Sequence, residues 1–149
     1  MWRIKSFQEL STTELYTYLQ LRVNVFIVEQ SCPYPELDGY DVDSYHFSYI
    51  ENDELLAYAR VLPSGVKYNY VSIGRVIVDK KSRGRGLAKQ LMEQAISFIH
   101  EKWPNADIQL QAQAHLKHFY GSFGFETISD EYDEDGIPHV DMLKKAFNL

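Results

Sequence analysis

Cysteine is nearly absent: Cys32 is the only one among 149 residues. That excludes an internal disulfide and fits a reducing compartment, so a cytoplasmic location is expected. No apolar run approaches membrane-spanning length, and the opening Met1-Trp2-Arg3-Ile4-Lys5 lacks the apolar stretch of a signal peptide, so no membrane association is expected. Basic residues are the minority, 15 Lys and Arg against 21 Asp and Glu, and the net charge of −6 argues against a nucleic-acid surface. No His or Cys pair stands at metal-ligand spacing, so no metal is expected. Linkers, repeats and low-complexity tracts are also missing. The length suits one domain spanning 1–149, able to bury roughly two-thirds of its unfolded surface.

What is plentiful is aromatic. Eleven Tyr and eight Phe point to a core and clefts lined with rings. Along the chain, 2–7 reads as a strand. Ser11-Thr12-Thr13-Glu14 is a capping box for a helix running to about Val28, with Leu10 and Leu15 placed to form its staple. A loop with Pro and Asp follows over 31–43. Residues 45–50 and 55–62 alternate as a hairpin about Asn52-Asp53, and 71–78 forms a central strand. A long helix is expected over 84–103, ended by Pro104, with Leu87, Leu91, Ala95 and Ile99 in one row. Then come a strand at 108–112, a short helix at 115–123, a strand at 125–129, an acidic turn at 133–136 and a last strand at 137–144. This order predicts an α/β sandwich with a mixed sheet.

The most informative stretch is 76–88, VIVDKKSRGRGLA, where a β-branched strand enters an Arg-Gly-Arg-Gly turn that opens a helix. Such a turn aims unpaired N–H groups and the positive helix end at one point, a seat for a phosphate. Arg83, Arg85 and Lys89 add charge there. Neither G-x-x-x-x-G-K-[ST] nor G-x-G-x-x-G is present. Arg-x-x-Gly-x-Ala is, through Arg83, Gly86 and Ala88, and it resembles the pyrophosphate loop of the GNAT superfamily of acetyl-CoA-dependent N-acyltransferases. A second segment, Phe119-Tyr120 ahead of Gly124-Phe125, is similar to the family's aromatic–Tyr pair before a Gly-Phe strand entry. Gln113 stands where the family usually has Asn, and Leu116 where it has a small residue. A third stretch, 21–30 followed by Cys32-Pro33-Tyr34, Glu36, Asp38, Asp41 and His46, resembles the ElaA-type branch.

The resemblance implies a GNAT-like α/β sandwich with a mixed, mostly antiparallel central sheet. It also implies acetyl-CoA as donor and a primary amine of a small molecule or peptide as acceptor, with a homodimer left open. Val76, Ile77 and Val78 would hold the pantetheine arm through their backbone. The loop of Arg83, Gly84, Arg85, Gly86, Leu87 and Ala88 would take the pyrophosphate. Tyr120 matches the family Tyr that donates to the departing sulfur. A non-catalytic acyl-CoA-binding regulatory module is the alternative.

The general base is open. Where the family often places Glu on the central strand, this chain has Arg75. Glu29, Glu36, Asp38, Asp41, His46 and a water remain candidates; His115 reads either as a group near the cofactor or as a residue that only starts its helix. Cys32 with His46 and Asp41 is a further alternative as a nucleophile. Arg60 and Arg75 lie in apolar strands expected to be antiparallel neighbours. Two guanidinium groups so placed need anions between them. An internal ion network with the loop acids is the expectation; recognition of a carboxylate or phosphate on the acceptor is the other reading.

Overall fold

Strand β3 (Glu54–Leu62) organises the molecule, because its side chains are buried on both faces of the sheet. Ala57, Ala59 and Val61 point into a large core beneath one helix; Tyr58 joins a smaller core beneath another. Arg60 is 1% exposed and faces the ion network described below. The computed structural model describes residues 1–146.

The elements follow from local chemistry. Strand β1 (Trp2–Ser6) leads to α1 (Thr12–Arg22), whose start is fixed by the expected capping box. The Glu14 amide donates to Ser11 Oγ at 3.0 Å, and the Ser11 amide donates to Glu14 Oε1 at 2.9 Å. The helix does not run on as α to Val28. Val23–Glu29 is a π-helical stretch whose wider turn ends with the Gln30 amide on the Val25 carbonyl. The wider turn brings Val25, Phe26, Glu29 and Gln30 to one cavity wall. Strands β2 (Tyr45–Glu51) and β3 form a hairpin in which Asn52 and Asp53 both adopt positive φ, as a tight primed turn requires.

Strand β4 (Val71–Val78) leads through the Gly-rich loop to α2 (Leu87–Lys102). The helix begins three residues later than expected. Gly84 (φ +85°) and Gly86 (φ +77°) are both left-handed, a conformation that cannot be part of a right-handed helix. Leu87, Leu91, Met92, Ala95 and Ile99 form its buried row. Strand β5 (Ile108–Gln113) follows, then a 3₁₀ turn over Ala114–Leu116 and α3 (Lys117–Gly121), a shorter helix than expected. Strand β6 (Glu126–Thr127) is also short. Strand β7 (Tyr132–Glu134) occupies part of the expected acidic turn and pairs with β8 (Ile137–Lys144) about Asp135-Gly136.

Among the described residues the eight strands form one sheet in the order β1-β2-β3-β4-β5-β8-β6, with β7 on β8. Only β4–β5 is parallel, joined by the α2 crossover. This is the mixed, mostly antiparallel α/β sandwich expected from the sequence. No helix among the described residues is long and apolar enough to cross a membrane.

Candidate functional site

The parallel pair β4–β5 is joined only at its start, Val71 with Ile108 and Ser72 with Gln109. Beyond Ser72 the strands splay. Among the described residues, no strand pairs with the edge of β4 from Ile73 to Val78 that would face β5. Its other edge pairs with β3, interrupted by a bulge opposite Tyr58–Arg60. Arg75 sits in that bulge with φ +54°, a costly conformation for a residue with a Cβ. The gap opens into a cavity of about 630 Å³ walled by β4, β5, the π-helical stretch, the Gly-rich loop, α3 and β8.

Val76, Ile77 and Val78 line this cavity, as do Arg83, Gly84, Gly86, Leu87 and Ala88. The first α2 bond runs from the Gln90 amide to the Gly86 carbonyl. The amides of Leu87, Ala88 and Lys89 therefore lack helical acceptors. A Cβ built on Gly86 meets nothing within 4 Å, so the space over the loop is open. Arg83 donates from Nε to the Val78 carbonyl (3.1 Å) and grips Glu29 with Nη1 and Nη2 (2.7 and 3.1 Å). Arg85 stands apart from the cavity, its Nη2 donating to Glu51 at 2.7 Å.

Tyr120 lines the same cavity, 7% exposed, with its ring edge-on to Phe119 at 5.1 Å. Its hydroxyl has no hydrogen-bond partner among the described residues and is not among the orphaned buried atoms, which places it on the open space. Burial pushes its pKa up to about 12, so it is protonated at neutral pH.

None of the acids named from the sequence is a free group facing the cavity. Glu29 lines it, but its hydrogen bonds to Arg83 hold its carboxyl below the usual range. Glu36, Asp38 and Asp41 belong to a network with Arg22, Arg60 and Arg75. Arg22 donates to Glu36 Oε2 (2.7 Å) and Asp41 Oδ1 (2.6 Å). Arg60 bridges Asp38 and Asp41. Arg75 Nε donates to Glu36 Oε2 (2.7 Å), and its Nη2 to the Glu36 carbonyl (3.1 Å) and Asp38 Oδ2 (3.3 Å). Burial alone would raise Asp38 and Asp41; Arg60 on the first and Arg22 on the second outweigh it and hold both carboxyls low. The expected ion network is therefore present.

His46 lies in the interior with both ring nitrogens used. Nε2 donates to the Asp41 carbonyl (2.9 Å), and Nδ1 accepts from the Tyr58 hydroxyl (2.6 Å). Burial lowers its pKa. Cys32 lines the cavity, but its Sγ donates to the Asp135 carbonyl at 3.0 Å, so no Cys32–His46–Asp41 relay is assembled. His115 also lines the cavity.

Sequence reasoning passed over His139, on β8 and half-buried in the cavity wall. Its Nδ1 donates to the Ile137 carbonyl at 2.7 Å, and its ring stacks on Tyr132 at 6.3 Å. The neutral ring therefore carries its proton on Nδ1 and presents Nε2 as an acceptor. The available signal was the alternation of β8, which puts Ile137 and His139 on one face.

Residues 14–146 match the acetyltransferase (GNAT) domain family. The chain is 46% identical over 147 residues to protein ElaA of Escherichia coli strain K12, covering 97% of this chain and 96% of that protein. The crystal structure of an acyl-CoA N-acyltransferase from Pseudomonas aeruginosa superposes with a TM-score of 0.93 at 42% identity, covering 97% and 98% of the two chains. That of Escherichia coli ElaA gives 0.92 at 45%, covering 97% and 99%. Motif, splayed strands and kinship agree over nearly the whole length: the chain belongs to the GNAT acetyltransferase family.

Proposed function

We propose that this protein transfers an acetyl group from acetyl-CoA directly to a primary amine of a small molecule or peptide. The observation that carries this is the open edge of β4 beside the Gly-rich loop. Unpaired strand groups call for an extended amide-bearing partner, and a pantetheine arm is one; Val76, Ile77 and Val78 meet it as a neighbouring strand would. The free amides of Leu87, Ala88 and Lys89, with Arg83, suit the pyrophosphate. Bound there, acetyl-CoA supplies an activated thioester carbonyl.

The chain's own groups then divide the work. His139 Nε2 takes the proton lost by the amine as the C–N bond forms. The C–S bond breaks and sulfur leaves as a thiolate. Tyr120, held at about 12, is a weaker acid than a thiol near ~8.5, so it stabilises the developing thiolate as a hydrogen-bond donor, and solvent completes its protonation. The ion-paired state of Glu29, Glu36, Asp38 and Asp41 favours the second reading, a non-catalytic acyl-CoA-binding module.

One experiment separates the two. Acetyl-CoA binding and CoA release over an amine panel are measured for the parent, Tyr120→Phe and His139→Gln. Under the catalytic reading both variants bind acetyl-CoA as the parent does, and Tyr120→Phe turns over roughly 10²–10³ more slowly. Binding without CoA release from any amine would support the module instead.

A further inference from the structure

Beside the main cavity lies a second cleft of about 60 Å³, walled by Arg60, Lys67, Tyr68, Ser72, Arg75 and Gln111 among others. A single water needs about 10–15 Å³, so the cleft admits a group of a few heavy atoms. Gly74, Arg75 and Gln111 border both spaces, which makes them adjoining.

The charged groups here fall into a closed network and one cation outside it. Three guanidinium groups (Arg22, Arg60, Arg75) face three carboxylates (Glu36, Asp38, Asp41), all joined by ion pairs. Lys67 is the cation outside that network. It is half-buried, its Nζ stands over the Tyr40 and Tyr68 rings at 5.7 and 5.4 Å, and it has no carboxylate partner among the described residues. Burial, then Arg75 and Arg60, lower its pKa, outweighing Asp38 and Glu134. Two further acids stand nearby, each held by a neutral donor and neither paired with Lys67: Glu134 accepts from Gln111, and Asp141 from the Tyr132 hydroxyl. Arg60 is 1% exposed with its Nε buried and unpartnered, and Arg75 Nη1 has no partner among the described residues. Both arginines have carboxylate partners, yet these donors and the Lys67 ammonium are left unused, and a buried donor without an acceptor is costly unless one is supplied.

We infer that this cleft is a carboxylate subsite for the acceptor, so that the substrate class is amines that also carry a carboxylate. Lys67 and Arg75 grip the carboxylate while the amine reaches the main cavity past Gln111. This rests on the acyltransferase reading for the amine's role.

The test uses calorimetry on bare and CoA-saturated protein, with the ω-amino acids from glycine to 6-aminohexanoate, their carboxamides, and 2-aminoethyl phosphate as probes. At the best chain length the acid should bind at least about tenfold more tightly than its amide. Lys67→Met should bring the acid to the level of the amide, leaving CoA affinity unchanged. Equal binding of acid and amide at every length overturns the subsite, as does a Lys67→Met variant that keeps the preference. Binding of the phosphate with none of the carboxylates also overturns it. Failure of CoA to bind, with the acid preference intact on bare protein, would sink the acyltransferase reading instead.

Discussion

Arg75→Met tests the ion network most sharply, because Met inherits the left-handed backbone of the bulge and its cost nearly cancels. The substitution removes the Arg75 bonds to Glu36 Oε2 (2.7 Å) and the Glu36 carbonyl (3.1 Å), and the longer contact to Asp38 (3.3 Å). Neither acid is stranded. Glu36 keeps Arg22 (2.7 Å) and the Tyr34 hydroxyl (2.8 Å), and Asp38 keeps Arg60 and the Tyr40 amide (3.1 Å). The loss is thus that of charge-assisted hydrogen bonds offset by the desolvation Arg75 no longer suffers, about 2 kcal/mol. For a chain of this size that lowers the melting temperature by about 4–8 °C. Arg22→Met should cost more, about 3–5 kcal/mol, because Arg22 is wholly buried and holds both Glu36 and Asp41. Urea unfolding at neutral pH gives the energies, and amide exchange should quicken over 31–43, the loop these acids belong to. An Arg75→Met variant within about 0.5 kcal/mol of the parent, or one costlier than Arg22→Met, would refute this reasoning.

Two more expectations follow from the same structure. Gly86→Val forces a β-branched residue into φ +77° and fills the open space above the loop, so the rise in melting temperature on adding acetyl-CoA should vanish while the apoprotein still folds; an unchanged rise would remove the loop from the site. Asp38 and Asp41 have lowered pKa values in the folded state, so the stability they contribute is complete above the unfolded value near ~4 and is lost as pH falls below it. Arg60→Met should shallow that acid limb in urea titrations, and an identical limb would deny the coupling.

The fold was legible where periodicity or caps speak alone. The bounds expected for β4 and β8 agree with the structure, and the Ser11–Glu14 box starts α1 as written. The failures have physical causes. Consecutive apolar residues at 25–28 read equally well as α or π, since both are helical and differ by one residue per turn. The two left-handed glycines delayed α2, although Gly in a sequence does not announce the sign of its φ. Strand β7 is three residues long and acidic, and only its pairing with β8 makes it a strand.

The site divides along the same line. The loop of Arg83 and Gly86 was readable because its chemistry is contiguous in the chain, and Tyr120 because the resemblance marked it. His139, the base proposed above, was not, because its place in the cavity wall is made by pairing distant strands. β8 returns beside β5 and sets His139 opposite Gln113, across the cavity from β4. Carboxylates that looked available in sequence are each used by an arginine supplied from elsewhere: Arg22 from α1, Arg60 from β3, Arg75 from β4 and Arg83 from the loop. Charge counting by segment cannot show this, since the acids of 29–41 and their partners lie on different elements. Among the described residues Lys67 has no carboxylate partner and His139 Nε2 no hydrogen-bond partner, and the two line adjoining spaces. Under the proposed acyltransferase reading, an acceptor with a carboxylate at one end and an amine at the other would satisfy both at once, so specificity and proton transfer should be tuned by the same chain length.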